Sequence, residues 1–154
     1  MIHSCDYILR FSKTDFYKLK KNSDVIIFTY KLKSKVIKNY SDFAYCVTKN
    51  NNIVSKIVEK KTISKNPQND QMVVGTFWFR KSKDFFNSCE IAKKQKKYIN
   101  GELYVANNIN LLIKNKLKVN FLEVNYWINF GDFYDLNSFI YWQNFFSSSN
   151  YFKI

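Results

Sequence analysis

Two short runs carry the residue types that could build a site. Val73-Val74-Gly75-Thr76-Phe77-Trp78-Phe79-Arg80 reads as a strand that delivers a Gly-Thr pair to a cleft. After a helical stretch, Asn100-Gly101-Glu102-Leu103-Tyr104 reads as a tight Asn-Gly turn that presents a carboxylate. A strand, a helix and a turn ending in an acid form the layout of a binding site. No zinc site is expected, because Cys5, Cys46 and Cys89 are scattered and His3 is the lone histidine. Two lysine clusters, Lys18-Leu19-Lys20-Lys21 and Lys93-Lys94-Gln95-Lys96-Lys97, offer charge for a phosphate-bearing partner or simply form solvated helix faces.

The surrounding elements follow from hydrophobic period and punctuation. Ser12-Lys13-Thr14-Asp15 resembles a capping box, so a short helix is expected to about Lys21. Asp24 to Tyr30 is a continuous β-branched and aromatic run, as in a strand buried on both faces of a parallel sheet. Phe43–Thr48 and Ile53–Lys60 flank Asn50-Asn51-Asn52 and predict a hairpin. The polar stretch 61–71, with the only proline, Pro67, reads as a loop before the strand Met72–Arg80. Lys83–Lys97 predicts a helix with Phe85, Phe86, Cys89, Ile91 and Ala92 toward the core. Tyr104–Lys116 predicts a second, with Val105, Ile109, Leu112 and Ile113 at helical spacing. Lys118–Val124 reads as a strand, and Asp132 and Asp135 bracket the start of a last helix. Strands alternating with helices around a central hairpin imply an α/β fold with a mixed sheet.

Composition bounds the rest. The 154 residues make one domain, and 46% hydrophobic with 19% aromatic content is ample for a core. The net charge is +13, yet the only arginines are Arg10 and Arg80. Sequence-reading nucleic-acid proteins recruit arginine for bidentate contacts. A lysine-rich surface beside abundant Asn, Ile, Tyr and Phe instead follows from AT-rich coding, so no specific nucleic-acid partner is expected. No apolar stretch approaches the ~20 residues that span a bilayer. With no signal peptide and an odd cysteine count, a cytoplasmic location with reduced thiols is expected.

Taken in order, these pieces resemble the C-terminal half of the sugar-phosphate nucleotidyltransferases, from about Ile2 to Phe146. The most specific strings are Gly75-Thr76-Phe77-Trp78-Phe79-Arg80, Asn100-Gly101-Glu102-Leu103-Tyr104-Val105, and Val124-Asn125-Tyr126-Trp127-Ile128-Asn129-Phe130-Gly131 leading to Asp135-Leu136. Tyr141-Trp142-Gln143-Asn144-Phe145-Phe146 is similar to that family's closing helix, and Ser4-Cys5-Asp6 and Glu59-Lys60-Lys61 are weaker matches. The resemblance implies a partial Rossmann-like sandwich with a mixed sheet and a β-hairpin insertion, occupying residues 1–146, with 147–154 as a frayed tail.

The activity implied is transfer of a nucleotidyl group from a nucleoside triphosphate to a sugar 1-phosphate or similar phosphate ester, with release of pyrophosphate. Such chemistry needs charge neutralisation and alignment more than acid–base groups. By resemblance, Asp6 holds Mg2+, and Asn129 stands where many relatives carry a second magnesium Asp. An amide binds a hard cation more weakly than a carboxylate. Lys60 or Lys61 matches the lysine that contacts the acceptor phosphate, although the proline that follows it in the family is missing. Gly75, Thr76, Asn100 and Glu102 match the sugar-binding part. In this reading their alternatives are ordinary ones: close strand packing at Gly75, a helix-start acid at Glu102, surface groups at Asp6 and the lysines.

The family begins with a glycine-rich, Arg-containing loop that wraps the triphosphate, whereas this chain has no glycine before Gly75. The expectation is an acceptor half that needs a complementary polypeptide and exposes a sheet edge and apolar faces without it. A non-catalytic sugar-phosphate or polyanion-binding module and an inactive remnant are the other readings.

Overall fold

The apolar run after Asp24 becomes the central strand β3 (Val25–Tyr30). In the computed structural model, which describes residues 1–32, 39–49 and 52–148, Val25, Ile26, Ile27 and Phe28 are all fully buried. Successive side chains of a strand point to opposite faces, so β3 feeds two cores. Val25 and Ile27 pack with Ile109 and Leu112 on one side. Ile26 and Phe28 pack with Phe16 and Leu122 on the other. Helix α1 (Lys13–Asn22) covers the second face through Phe16, and its Ser12 hydroxyl accepts from the Asp15 N–H as a cap. Helices α2 (Ser82–Lys94) and α3 (Val105–Lys114) pair with each other, and α3 supplies Ala106, Ile109 and Leu112 to the first core. The helix face predicted for α2 is corrected at one residue: Phe86 is 63% exposed, while Ser88 and Ala92 are the buried positions.

The sheet is mixed, and only one neighbour of β3 is parallel. That neighbour is β7 (Val119–Glu123), in the register Val25↔Val119 to Thr29↔Glu123. On its other side β3 runs antiparallel to the long strand β6 (Gln71–Phe79). The predicted hairpin forms from β4 (Tyr45–Lys49) and β5 (Ile53–Val58). Asn52 at its turn takes the left-handed conformation (φ 60°), while Asn50 and Asn51 lie outside the described residues.

The hairpin is not the insertion that the sequence suggested. β5 meets β7 at Ile53↔Asn120, and β4 pairs with the start of β6 at Tyr45↔Met72 and Cys46↔Gln71. The order is β1-β6-β3-β7-β5-β4, with β4 returning to β6, so the sheet closes on itself like a barrel instead of lying open as a Rossmann-like layer. The physical reason is the nine-residue length of β6. One of its edges is long enough to take β4 at Met72 and the short strand β1 (Ile2–His3) at Thr76 and Phe77.

β6 can hold both because it bends. Its register with β3 slips between Ile27 and Thr29, so extra residues of β6 bulge opposite Phe28. Gly75 sits in that bulge with φ +77°, a backbone state that costs a residue with a Cβ. A Cβ there would also fall 2.9 Å from Ser4 Oγ and 3.2 Å from the Tyr7 ring.

Beside this sheet, β2 (Tyr7–Arg10) and β8 (Tyr126–Asn129) form a separate antiparallel ribbon, from Tyr7↔Asn129 to Arg10↔Tyr126. Helix α4 (Phe133–Ser148) extends from the ribbon and runs past the predicted start of the tail at Ser147; residues 149–154 lie outside the described ones. Its apolar residues are not gathered on one face, and none of them is buried. Phe133 and Tyr134 are 74% and 75% exposed, and Tyr141 and Trp142 are 63% and 50% exposed.

Gly75→Ala should destabilise the fold by about 3 kcal/mol, combining the left-handed backbone with overpacking. Gly101→Ala has the same backbone demand (φ +82°) but open space around it, and should cost only about 1 kcal/mol. Urea denaturation of the two variants measures the difference, and equal losses would contradict the close approach at Gly75.

Candidate functional site

The residues singled out in the sequence fall into two groups, joined by a row of aromatic rings. The first lies where the β2–β8 ribbon ends. Pairing of Tyr7 with Asn129 brings Asp6 alongside, and the Phe130 N–H donates to the Asp6 carbonyl at 2.7 Å. The two side chains meet over Gly131. A Cβ at that glycine would lie 3.2 Å from Asp6 Oδ2 and 3.2 Å from Asn129 Oδ1. The Asn129 amide is held from both ends: Nδ2 donates to Asp135 Oδ2 at 2.7 Å, and Oδ1 accepts from the Gly131 N–H at 3.3 Å. Asp6 and Asn129 are therefore brought side by side.

The second group surrounds Lys60. This residue leaves β5 in a left-handed turn (φ 53°), and its N–H donates to the Phe43 carbonyl at 3.0 Å. Its ammonium donates to the Asp42 carbonyl at 2.6 Å and stands 5.5 Å from the centre of the Tyr104 ring. Lys61 is exposed beside it, so Lys60 is the lysine that this cluster holds. Asn100 (φ 51°) and Gly101 (φ 82°) make the predicted turn, closed by the Ile99–Glu102 bridge. Asn100 is exposed and serves that turn through its backbone. The Glu102 carboxylate accepts from the Tyr104 hydroxyl, and this bond raises the Tyr104 pKa by stabilising the protonated phenol. Glu59 completes the group. Its Oε2 is buried without a hydrogen-bond partner among the described residues. Burial raises its pKa, opposed by the neighbouring Lys60 charge.

Between the groups, Trp127 lies tilted against Tyr7 (6.5 Å) and Tyr30 (6.2 Å) and edge-on to Phe43 (6.0 Å). Tyr7 adjoins Asp6 and Phe43 adjoins the Lys60 backbone, so these rings connect the two polar groups. Trp127 Nε1 is itself buried without a partner among the described residues.

Thr76 departs from its expected place. It is only 1% exposed, and its hydroxyl is shared by Tyr7 Oη at 2.6 Å and His3 Nδ1 at 2.7 Å. The bulge at Gly75 turns Thr76 inward, where it ties β1 and β2 to β6 instead of facing an open cleft. Gly75 likewise acts through backbone shape, with the Ser4 N–H donating to its carbonyl at 3.3 Å. Sequence reading passed over Tyr7, Glu59, Trp127 and Asp135 as site residues. Glu59, Trp127 and Asp135 did stand inside the strings that carried the resemblance, whereas Tyr7 did not and was indistinguishable from core. A cavity of about 510 Å3 lies elsewhere, against α1 and the ends of β3 and β7; Lys18, Lys31, Gln71 and Glu123 are among its walls, and no sequence-named site residue lines it.

Comparison with solved structures decides the fold. A nucleoside-diphosphate-sugar pyrophosphorylase from Vibrio cholerae superposes with a TM-score of 0.65 at 19% identity, over 80% of this chain and 48% of its own. The UTP-bound UGPase from Acinetobacter baumannii gives 0.57 at 12% identity, over 89% of this chain and 48% of its own. The inositol-1-phosphate CTP transferase from T. maritima gives 0.53 at 15% identity, over 88% and 50%. The chain shares its fold with part of each of these three structures. It spans about half the length of these three structures. No family model and no curated protein matches the sequence. At such identities the likeness speaks for fold, and the chemistry has to be argued from the residues.

Glu59 supplies a test of the Lys60 group by pH. Its folded pKa is raised, so the folded state binds the proton more tightly than the unfolded chain. Stability from this group is full below the ordinary carboxyl value and is lost as pH rises through the folded value. Glu59→Gln should therefore melt at a higher temperature than the parent at pH 7, with the gap closing at about pH 4. Thermal melts across that range check the sign; a variant less stable at pH 7 would show that Glu59 is held as a paired carboxylate.

Proposed function

We propose that this chain is the acceptor-binding half of a nucleotidyltransferase, holding a sugar 1-phosphate or similar phosphate ester for joining to a nucleotide. The observation that carries this reading is the assembly, on a fold shared with three such enzymes, of the Lys60–Tyr104–Glu102 group and the Asp6–Asn129 pair at the two ends of one aromatic row. Lys60 brings a point charge suited to a phosphate. The Asp42 carbonyl fixes its ammonium, which pre-pays part of the ordering cost of a flexible lysine. Glu102 is an acceptor for sugar hydroxyls, and the Tyr104 hydroxyl orients it.

Magnesium is the cofactor that this fold implies, and the donor set fits it. Gly131 leaves open a space faced by Asp6 Oδ2 and Asn129 Oδ1, two hard oxygen donors. Magnesium is commonly held by one or two protein oxygens, with water and substrate phosphate completing its shell. Among the described residues no three His, Cys, Asp or Glu side chains are grouped to form a protein cage for a metal. When bound, the ion supplies charge neutralisation for the phosphates; Asp6 and Asn129 would hold it.

The triphosphate-gripping portion is supplied by another segment or a complementary polypeptide, since a glycine-rich phosphate loop cannot be drawn from a sequence with no glycine before Gly75. The polyanion-binding alternative gains little from the lysine clusters. Lys20 lies over the rings of Phe16, Tyr17 and Trp78, and Lys93 and Lys94 sit in the last turn of α2, where cations suit the helix dipole.

Titration calorimetry with a panel of sugar 1-phosphates and inositol 1-phosphate tests the reading. Lys60→Ala should weaken the best ligand ~10-fold, about 1.4 kcal/mol, and Lys94→Ala should not. Binding that ignores Lys60 and collapses between low and moderate salt would replace the pocket with a diffuse polyanion surface. Pyrophosphate release on adding a nucleotide-binding half would extend the reading to catalysis.

A further inference from the structure

We infer that Asp135 is a positioning residue that sets the Asn129 amide as an oxygen donor toward Asp6; the inference rests on the magnesium reading above. An amide side chain is a cation ligand only through its oxygen, and its two ends exchange on a flip. A carboxylate at this place has no such ambiguity. In this chain the ambiguity is removed by Asp135: its Oδ2 accepts from Asn129 Nδ2 at 2.7 Å, so Oδ1 must face the other way. There the Gly131 N–H reaches it at 3.3 Å, and a point 3.2 Å away is shared with Asp6 Oδ2.

The local structure shows that Asp135 is not simply a helix cap. Asp132 caps α4, its Oδ1 accepting from the Asp135 N–H at 2.8 Å and its carbonyl from the Leu136 N–H at 3.1 Å. Asp135 then stands three residues after the cap, where the acid of a capping box would return to the cap N–H. Its carboxylate turns to Asn129 instead. Asp135 lies in the first turn of α4, where an acidic side chain suits the helix dipole. The pair thus does with two residues what a directly ligating aspartate does with one: Asn129 lends the oxygen, and Asp135 lends the orientation and a nearby negative charge.

A double-mutant cycle on the full chain, read by electron paramagnetic resonance titration of Mn2+, tests this. The parent should bind Mn2+ saturably, and Asp135→Ala should weaken it ~10- to 100-fold, the usual effect of removing a ligand's orienting partner. Asn129→Asp needs no orienting, so adding Asp135→Ala to it should weaken affinity less than ~3-fold, the effect of losing one exposed negative charge nearby. Near-UV circular dichroism of each variant establishes that the comparison is between folded proteins, and Asp135→Asn serves as a second, smaller change with the same expected direction. If Asp135→Ala leaves Mn2+ affinity unchanged, or weakens it equally in both backgrounds, the positioning role is overturned while the metal pair stands. If the parent binds no Mn2+, the inference falls together with the magnesium reading, and the sugar-phosphate titration above still judges the Lys60 group separately.

Discussion

The fold depends on the left-handed backbone of Gly75. Strand β6 has to pair with β3 along its length while offering its other edge first to β4 and then to β1. A regular strand nine residues long does not turn far enough to meet all three. The bulge at Gly75 supplies the bend, and its missing Cβ makes room for Ser4 and Tyr7 to lie against the backbone. From that contact the rest follows in sequence. Tyr7 reaches Thr76, the β2–β8 ribbon is anchored to the sheet, and the ribbon sets Asp6 beside Asn129.

The two polar groups gain their character from different physics. Around Lys60 one carboxylate oxygen is buried, while a cation above an aromatic face and a phenol bonded to an acid stand at the surface. Interactions of this kind strengthen as water is excluded, so they suit recognition of a small charged ligand. Around Asn129 the theme is orientation. The groups there are mostly exposed, and hydrogen-bond direction, more than burial, selects which atoms face one another.

Much of this architecture was legible in the sequence, and the failures have physical causes. β3, β6, the hairpin and α3 announce themselves because burial on a sheet or under a helix leaves a strict period in residue type. The Asn100-Gly101 turn was legible because two adjacent positive φ angles need those residues. The pairing of Asp6 with Asn129 is implied only by the resemblance that the order of several short strings carries, not by any local rule. Closure of the sheet was not legible, since whether β4 bonds to a distant strand leaves no mark on its own period. Thr76 was misjudged for a related reason: the strand pattern gives the alternation of faces, but a bulge resets that alternation from its own position onward. Phe86 faces outward because α2 buries only the stripe through Ser88 and Ala92, a choice that apolar residue type alone does not reveal.

Helix α4 has a consequence of its own. Among the described residues, none of the sixteen in this aromatic-rich helix is buried, although Phe139 meets the ring of Phe130 and Asp135 bonds to Asn129. Helices of about this length hold together poorly in water unless something lies along them. Its backbone order is therefore a gauge of company. Trp142, half exposed midway along it, would change its emission as soon as a neighbour shielded it, giving the chain a built-in optical signal of when it is no longer alone.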